Sequence, residues 1–131
     1  MNFIDKLNFD EKGLIPAIIQ DEKSGQVLTL CYMNKEALEK TIKEKKVYVF
    51  RRSKGRVMIK GESSGCVQFV KKVYMDCAEN SVLFKVEQLR AACHEGYFSC
   101  YFRGVDDTGN VTIDEKRVFD PKEVYGKNDK P

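Results

Sequence analysis

The sequence predicts an α+β, mainly β, single domain with one clear helix. Three observations carry this. Short runs rich in β-branched and aromatic residues recur along the chain, separated by turn residues. A single segment, beginning near Lys35, has helical rather than alternating spacing. The length, 131 residues, suits one hydrophobic core.

Residues 1–12 form a polar lead-in with a small apolar cluster of Phe3, Ile4, Leu7 and Phe9. Residues 13–20 read as a buried strand, with Pro16 pointing to an edge or a bulge because proline cannot donate to a ladder. Turn chemistry at 21–25 returns the chain as a second strand over 26–32, so the pair reads as a hairpin. Asn34 is placed to cap the helix, where Ala37, Leu38 and Ile42 share a face and Lys/Glu pairs coat the other. Residues 47–50 read as a strand, 51–56 as a basic turn and 57–59 as a returning strand. A Gly/Ser loop covers 61–65, and strands are expected over 67–75 and 81–88. Residues 91–99 are an irregular Cys/His segment. Beyond Arg103 the chain turns polar, with a turn at 106–110, and the last six residues read as loose. The domain spans 1–131, with a core about 13–103 and a C-terminal extension over 104–131.

Composition narrows the function. Hydrophobic residues make up 42% and aromatics 11%, which excludes a disordered chain. The net charge is +3, too weak a balance for a protein that wraps nucleic acid but compatible with a local cationic pocket for a phosphorylated small molecule. No apolar run reaches about 18 residues, so no membrane span is expected. The first residues lack the basic-then-apolar pattern of a signal peptide. A reducing cytoplasm is therefore expected, where the five cysteines (Cys31, Cys66, Cys77, Cys93 and Cys100) act as thiols or metal ligands rather than a disulfide frame.

The densest chemistry lies at 93–100, which holds Cys93, Cys100 and the single histidine, His94; Cys77 lies upstream between Asp76 and Ala78. Thiolates and imidazole are good zinc ligands, and three protein ligands leave a position for water, whose pKa zinc lowers to about 7. The spacing is not that of a zinc ribbon, and the alternative is a set of small buried hydrophobes. His94 reads either as a ligand or as a proton carrier beside the metal. Cys31 sits in an apolar strand and reads as core; Cys66 follows Gly65 and could face a pocket. The basic turn of Arg51, Arg52, Ser53 and Lys54, with Lys60, Glu62, Ser63, Ser64 and Gly65 beyond it, offers arginine forks, hydroxyls and open backbone to a phosphate. A solvated turn is the plainer reading of the same residues.

Taken together, these segments resemble the phosphoribosyl-AMP cyclohydrolase family of histidine biosynthesis. The likeness runs over about residues 13–103: the opening strand at 13–21, Tyr32-Met33-Asn34 at the helix start, Arg52-Ser53-Lys54, the 60–65 loop, Val86-Glu87-Gln88, Cys93-His94-Glu95-Gly96 and Ser99 through Arg103. The resemblance implies a cyclohydrolase-like fold forming an intertwined homodimer. It implies zinc-dependent opening of the adenine ring at N1–C6, with Cys77, Cys93 and Cys100 as zinc thiolates drawn from both chains. It implies that His94 moves protons and that Arg52, Ser53, Lys54, Lys60, Glu62, Ser63, Ser64 and Gly65 hold the phosphorylated nucleotide.

The departures are specific. The family's Asp-Cys-Asp-x-Asp pattern, whose carboxylates hold magnesium, stands here as Asp76-Cys77-Ala78-Glu79-Asn80. Asp76 alone remains as a residual magnesium ligand, and the loss of two charged oxygens makes magnesium doubtful. If the segment is extended, 76, 78 and 80 point one way and Glu79 the other, so Glu79 cannot stand in unless a bulge re-aims it. Cys66, Arg51 and Lys54 also depart from the family pattern. Two other readings stay open: a divergent zinc hydrolase acting on another nucleotide or purine-like heterocycle, and a non-catalytic dimeric binding protein stabilised by zinc.

Overall fold

The computed structural model describes residues 2–61 and 64–125. Its centre is a four-stranded sheet in which β1 (Ile15–Asp21), β2 (Val27–Met33), β5 (Gln68–Met75) and β6 (Val82–Gln88) take the order β2-β1-β6-β5. β1 and β6 run parallel, and the two outer pairings are antiparallel. Two hairpins flank this sheet: β3 (Tyr48–Arg51) with β4 (Arg56–Ile59), and β7 (Arg103–Val105) with β8 (Val111–Ile113). The helices are α1 (Lys35–Glu44) and a short α2 (Pro121–Tyr125), with a 3₁₀ turn over Phe3–Lys6. The fold is thus α+β and mainly β, with one main helix.

The expected β1–β2 hairpin forms, but β1 is an inner strand rather than an edge. Pro16 is tolerated because it pairs with Tyr32 of β2 while pairing with β6 begins one residue later, at Ala17. The bulge in this pair lies at its other end. Ile19 faces Thr29 and Gln20 faces Val27, leaving Leu28 as an extra residue in β2. The bulge breaks the alternation, so Leu28 and Thr29 are buried in succession.

Alternate residues Ile15, Ala17 and Ile19 of β1 and Val82, Phe84 and Val86 of β6 are almost wholly buried and form the main core with Met33, Leu38, Val47 and Val49. Asn34 caps α1 as expected, its Oδ1 accepting from the Ala37 amide at 2.8 Å. Ala37 and Leu38 are buried and Ile42 packs at the margin. Thr41 locks the helix to β3: its hydroxyl donates to the Ala37 carbonyl at 2.8 Å and accepts from the Tyr48 amide at 2.9 Å.

The polar stretch beyond Arg103 holds more structure than its composition predicts. The turn at 106–110 joins β7 to β8, and the Asp114 amide ties the hairpin to the Phe102 carbonyl at 3.0 Å. Residues 76–80 do not meet the condition of an extended segment. The segment is the β5–β6 turn, with Glu79 at φ 61 and the Asp76 amide bonded to the Ser81 carbonyl. Strand alternation therefore does not govern which way these side chains point. The expected loose tail at 126–131 lies outside the described residues.

Candidate functional site

The site is built on the β2 bulge. β2 is an edge strand, and two of its carbonyls at the bulge hold the segment that carries Cys100. The Cys100 amide donates to the Leu28 carbonyl at 2.7 Å, and the buried Ser99 hydroxyl donates to the Val27 carbonyl at 2.7 Å. Cys93 comes from the other side through a tight turn, in which its amide donates to the Tyr97 carbonyl and its carbonyl accepts from Gly96 at 2.9 Å. The stacked rings of Tyr97 and Phe102, centroids 3.7 Å apart, close a small apolar cluster around Cys93 and Cys100.

The two thiols share a hydrogen bond. That bond, with help from the Thr29 hydroxyl, Lys60 and His94, brings the Cys100 thiol down to about 6 against its burial. The same bond, reinforced by burial, pushes Cys93 up. Two neighbouring sulfurs, one drawn toward its ionised form, are a donor pair suited to a thiophilic metal such as zinc.

A cleft of about 460 Å³ adjoins this pair. Arg51, Arg52 and Ser53 line it, as do Lys60, Thr29, Cys31 and Tyr32. Arg52 stacks over the Tyr32 ring, 4.4 Å from its centroid, and Lys60 is anchored by the Ala92 carbonyl at 3.3 Å. Thr29 and Lys60 therefore belong both to the cleft and to the surroundings of Cys100. Cys31, expected in the core, is only half-buried and lines the cleft; packing around its sulfur pushes the thiol up to about 12.

Not every candidate is gathered here. Arg52, Ser53 and Lys60 line the cleft, and the exposed His94 lies beside Cys100. Lys54 is exposed on the turn and does not line the cleft, and Gly65 is likewise exposed. Ser64 is buried, its hydroxyl accepting from the Cys66 amide. Glu62 and Ser63 lie outside the described residues. Cys66 is buried against Ala91, Phe119 and Tyr125 rather than turned to the cleft. Cys77 is exposed in the β5–β6 turn, at the opposite end of β6 from Cys93. Among the described residues, no three His, Cys, Asp or Glu side chains come together as a metal site. Asp76 spends its Oδ1 on the amides of Asn80 and Ser81, both at 2.8 Å, which hold its carboxyl below the usual range.

Sequence reading missed Thr29 and Tyr32 as site residues. Both lie on β2, and only the bulge and the approach of the basic turn bring them to the cleft.

Fold and site together define a mainly β domain with an anion-suited cleft beside a paired thiol centre. Comparison with known proteins gives that class its family. A family model described as phosphoribosyl-AMP cyclohydrolase matches residues 29–102, the span from Thr29 through the Cys93–Cys100 segment. Proteins of that name are similar along nearly the whole chain. The one from Pelotomaculum thermopropionicum is 48% identical over 124 residues, covering 95% of this chain and 96% of its own. That from Chloroherpeton thalassium is 47% identical over 131 residues, covering 99% and 94%. That from Chlorobium phaeovibrioides is 44% identical over 126 residues, covering 96% and 92%. The chain belongs to the phosphoribosyl-AMP cyclohydrolase family. No helix among the described residues is long and apolar enough to cross a membrane.

Proposed function

We propose that this protein hydrolyses the N1–C6 bond of the adenine ring in phosphoribosyl-AMP, as a zinc enzyme of the cytoplasm. The observation that carries this reading is the sharing of Thr29 and Lys60 between a cation-lined cleft and the surroundings of Cys100. It supports a phosphate site next to a metal site. In this reading Cys93 and Cys100 would hold zinc in one protomer, and Cys77 would complete the set from a second copy. The exposed position of Cys77 supports that division.

When bound, zinc supplies Lewis-acid activation of water near neutral pH. The chain's own residues do the rest. Arg51 and Arg52, with the Ser53 hydroxyl, bind phosphate oxygens, and Arg can engage two at once. Lys60, tethered to Ala92, holds a positive charge in the lining of the cleft. Thr29 orients the Cys100 sulfur. His94 takes the proton from the attacking water and delivers one to N1 as the N1–C6 bond breaks, while the water oxygen stays on C6 as a carboxamide.

The test is turnover of phosphoribosyl-AMP with zinc, followed as loss of the intact adenine ring, with metal content measured alongside. Ring opening that is abolished by Cys93→Ser supports the reading. Bound zinc without turnover moves the substrate to another nucleotide-like heterocycle. Full turnover by folded Cys93→Ser removes the zinc mechanism.

A further inference from the structure

The polar extension beyond β8 is fastened to the back of the thiol turn. The Val118 amide donates to the Gly96 carbonyl at 2.6 Å, and the Phe119 amide reaches the same carbonyl at 3.4 Å. Arg117 Nε donates to the Glu95 carbonyl at 2.9 Å, while its guanidinium lies over the Tyr97 ring, 5.4 Å from the centroid. Three consecutive residues thus grip three consecutive residues of the turn. Gly96 is the joint: it has φ 93, and a Cβ there would strike the Phe119 carbonyl. Only glycine lets the two backbones approach so closely.

The same extension reaches the loop before β5. Arg90 lies over the Phe119 ring at 4.7 Å and donates from Nη1 to the Ser64 carbonyl at 3.3 Å. Phe119 and Tyr125 bury Cys66 and Ala91 between them. One strap therefore holds the Cys93 turn and the Ser64 loop in a fixed relation.

We infer that residues 117–119 form a positioning strap for the Cys93–Gly96 turn, with Arg117 as its positioning residue. Arg117 is not among the residues that line the cleft; it acts through the Glu95 carbonyl and the Tyr97 ring. Groups one step removed from metal ligands commonly govern affinity through such orientation. The metal half of this inference rests on the zinc reading above.

Arg117 is exposed, so Arg117→Ala should fold. Two readouts test it: zinc affinity by competition with a chromophoric chelator, and the rate at which iodoacetamide labels Cys93 in metal-free protein, mapped by mass spectrometry. Arg117→Ala should weaken zinc about tenfold and speed Cys93 labelling several-fold, with Tm moving by no more than about 3 °C. Arg117→Lys, which keeps the charge and one donor, should restore part of both. Unchanged affinity and labelling in Arg117→Ala overturns the strap. A fall in Tm with unchanged Cys93 labelling also overturns it, as bulk stability alone. If the wild type shows no zinc affinity, the zinc reading falls and labelling alone decides the strap, faster supporting it and unchanged overturning it.

Discussion

The amide of Cys100 donates to the carbonyl of Leu28 across 2.7 Å, and Leu28 is the extra residue of a β-bulge. An irregularity in the sheet thereby becomes the anchor of Cys100. Without the extra residue, the outward-facing groups of β2 would meet the 99–100 turn in a different register.

Ser99 tests this anchor. Its hydroxyl, wholly buried, donates to the Val27 carbonyl at 2.7 Å and accepts from the Tyr101 amide at 2.9 Å. Ser99→Ala leaves both backbone groups short of a partner and should cost about 1–3 kcal/mol. Urea denaturation measures this directly, and a change below a few tenths of a kcal/mol counts against the anchor.

The thiol pair predicts an unusual pH profile. With Cys100 brought down to about 6, its thiolate fraction rises as pH climbs through 6 and is nearly complete by about pH 7.5. Alkylation of Cys100 in metal-free protein should follow that curve, whereas an ordinary thiol would still be accelerating above pH 8. Cys93→Ala removes the donor and should move the midpoint upward. A Cys100 midpoint that stays put in this variant shows that the hydrogen bond is not the cause.

Arg52 should carry substrate binding. Charge-assisted bonds contribute about 1.5–3 kcal/mol, so Arg52→Ala should raise KM for phosphoribosyl-AMP by roughly tenfold or more with a smaller effect on kcat. Arg52→Lys should recover little, because it loses both the fork and the stacking over Tyr32. Steady-state kinetics decide this; an unchanged KM moves phosphate to another part of the cleft.

The β5–β6 turn makes a prediction about magnesium. Ala78 is exposed, and Asn80 Oδ1 already accepts from Asn8 at 3.2 Å, so a carboxylate at 80 keeps that acceptor. The double variant Ala78→Asp, Asn80→Asp adds two charged oxygens beside Asp76 and should bind magnesium measurably tighter than wild type by calorimetry. Equal affinity in both proteins means these two positions do not govern the metal at this turn.

Much of this was legible in the residues themselves. Alternation, turn chemistry and the Asn34 cap are signals carried within a few residues, so the β1–β2 hairpin, α1, the β3–β4 hairpin and the long strands β5 and β6 could be read one by one. The clustering of Cys93, His94 and Cys100 and the basic turn at 51–54 were visible for the same reason. The tertiary structure decided what depends on distant partners. It made β1 an inner strand despite Pro16, because β6 begins pairing only at Ala17. It placed the extra residue at Leu28, since a bulge is set by the register of two strands and not by either alone. It carried Thr29 and Cys31 to the cleft and left Cys77 at the far end of β6 from Cys93. It also folded a polar extension onto the back of Gly96. Local sequence determined the elements and the chemistry available to them; long-range register and backbone approach, which no local pattern encodes, determined which of those groups meet.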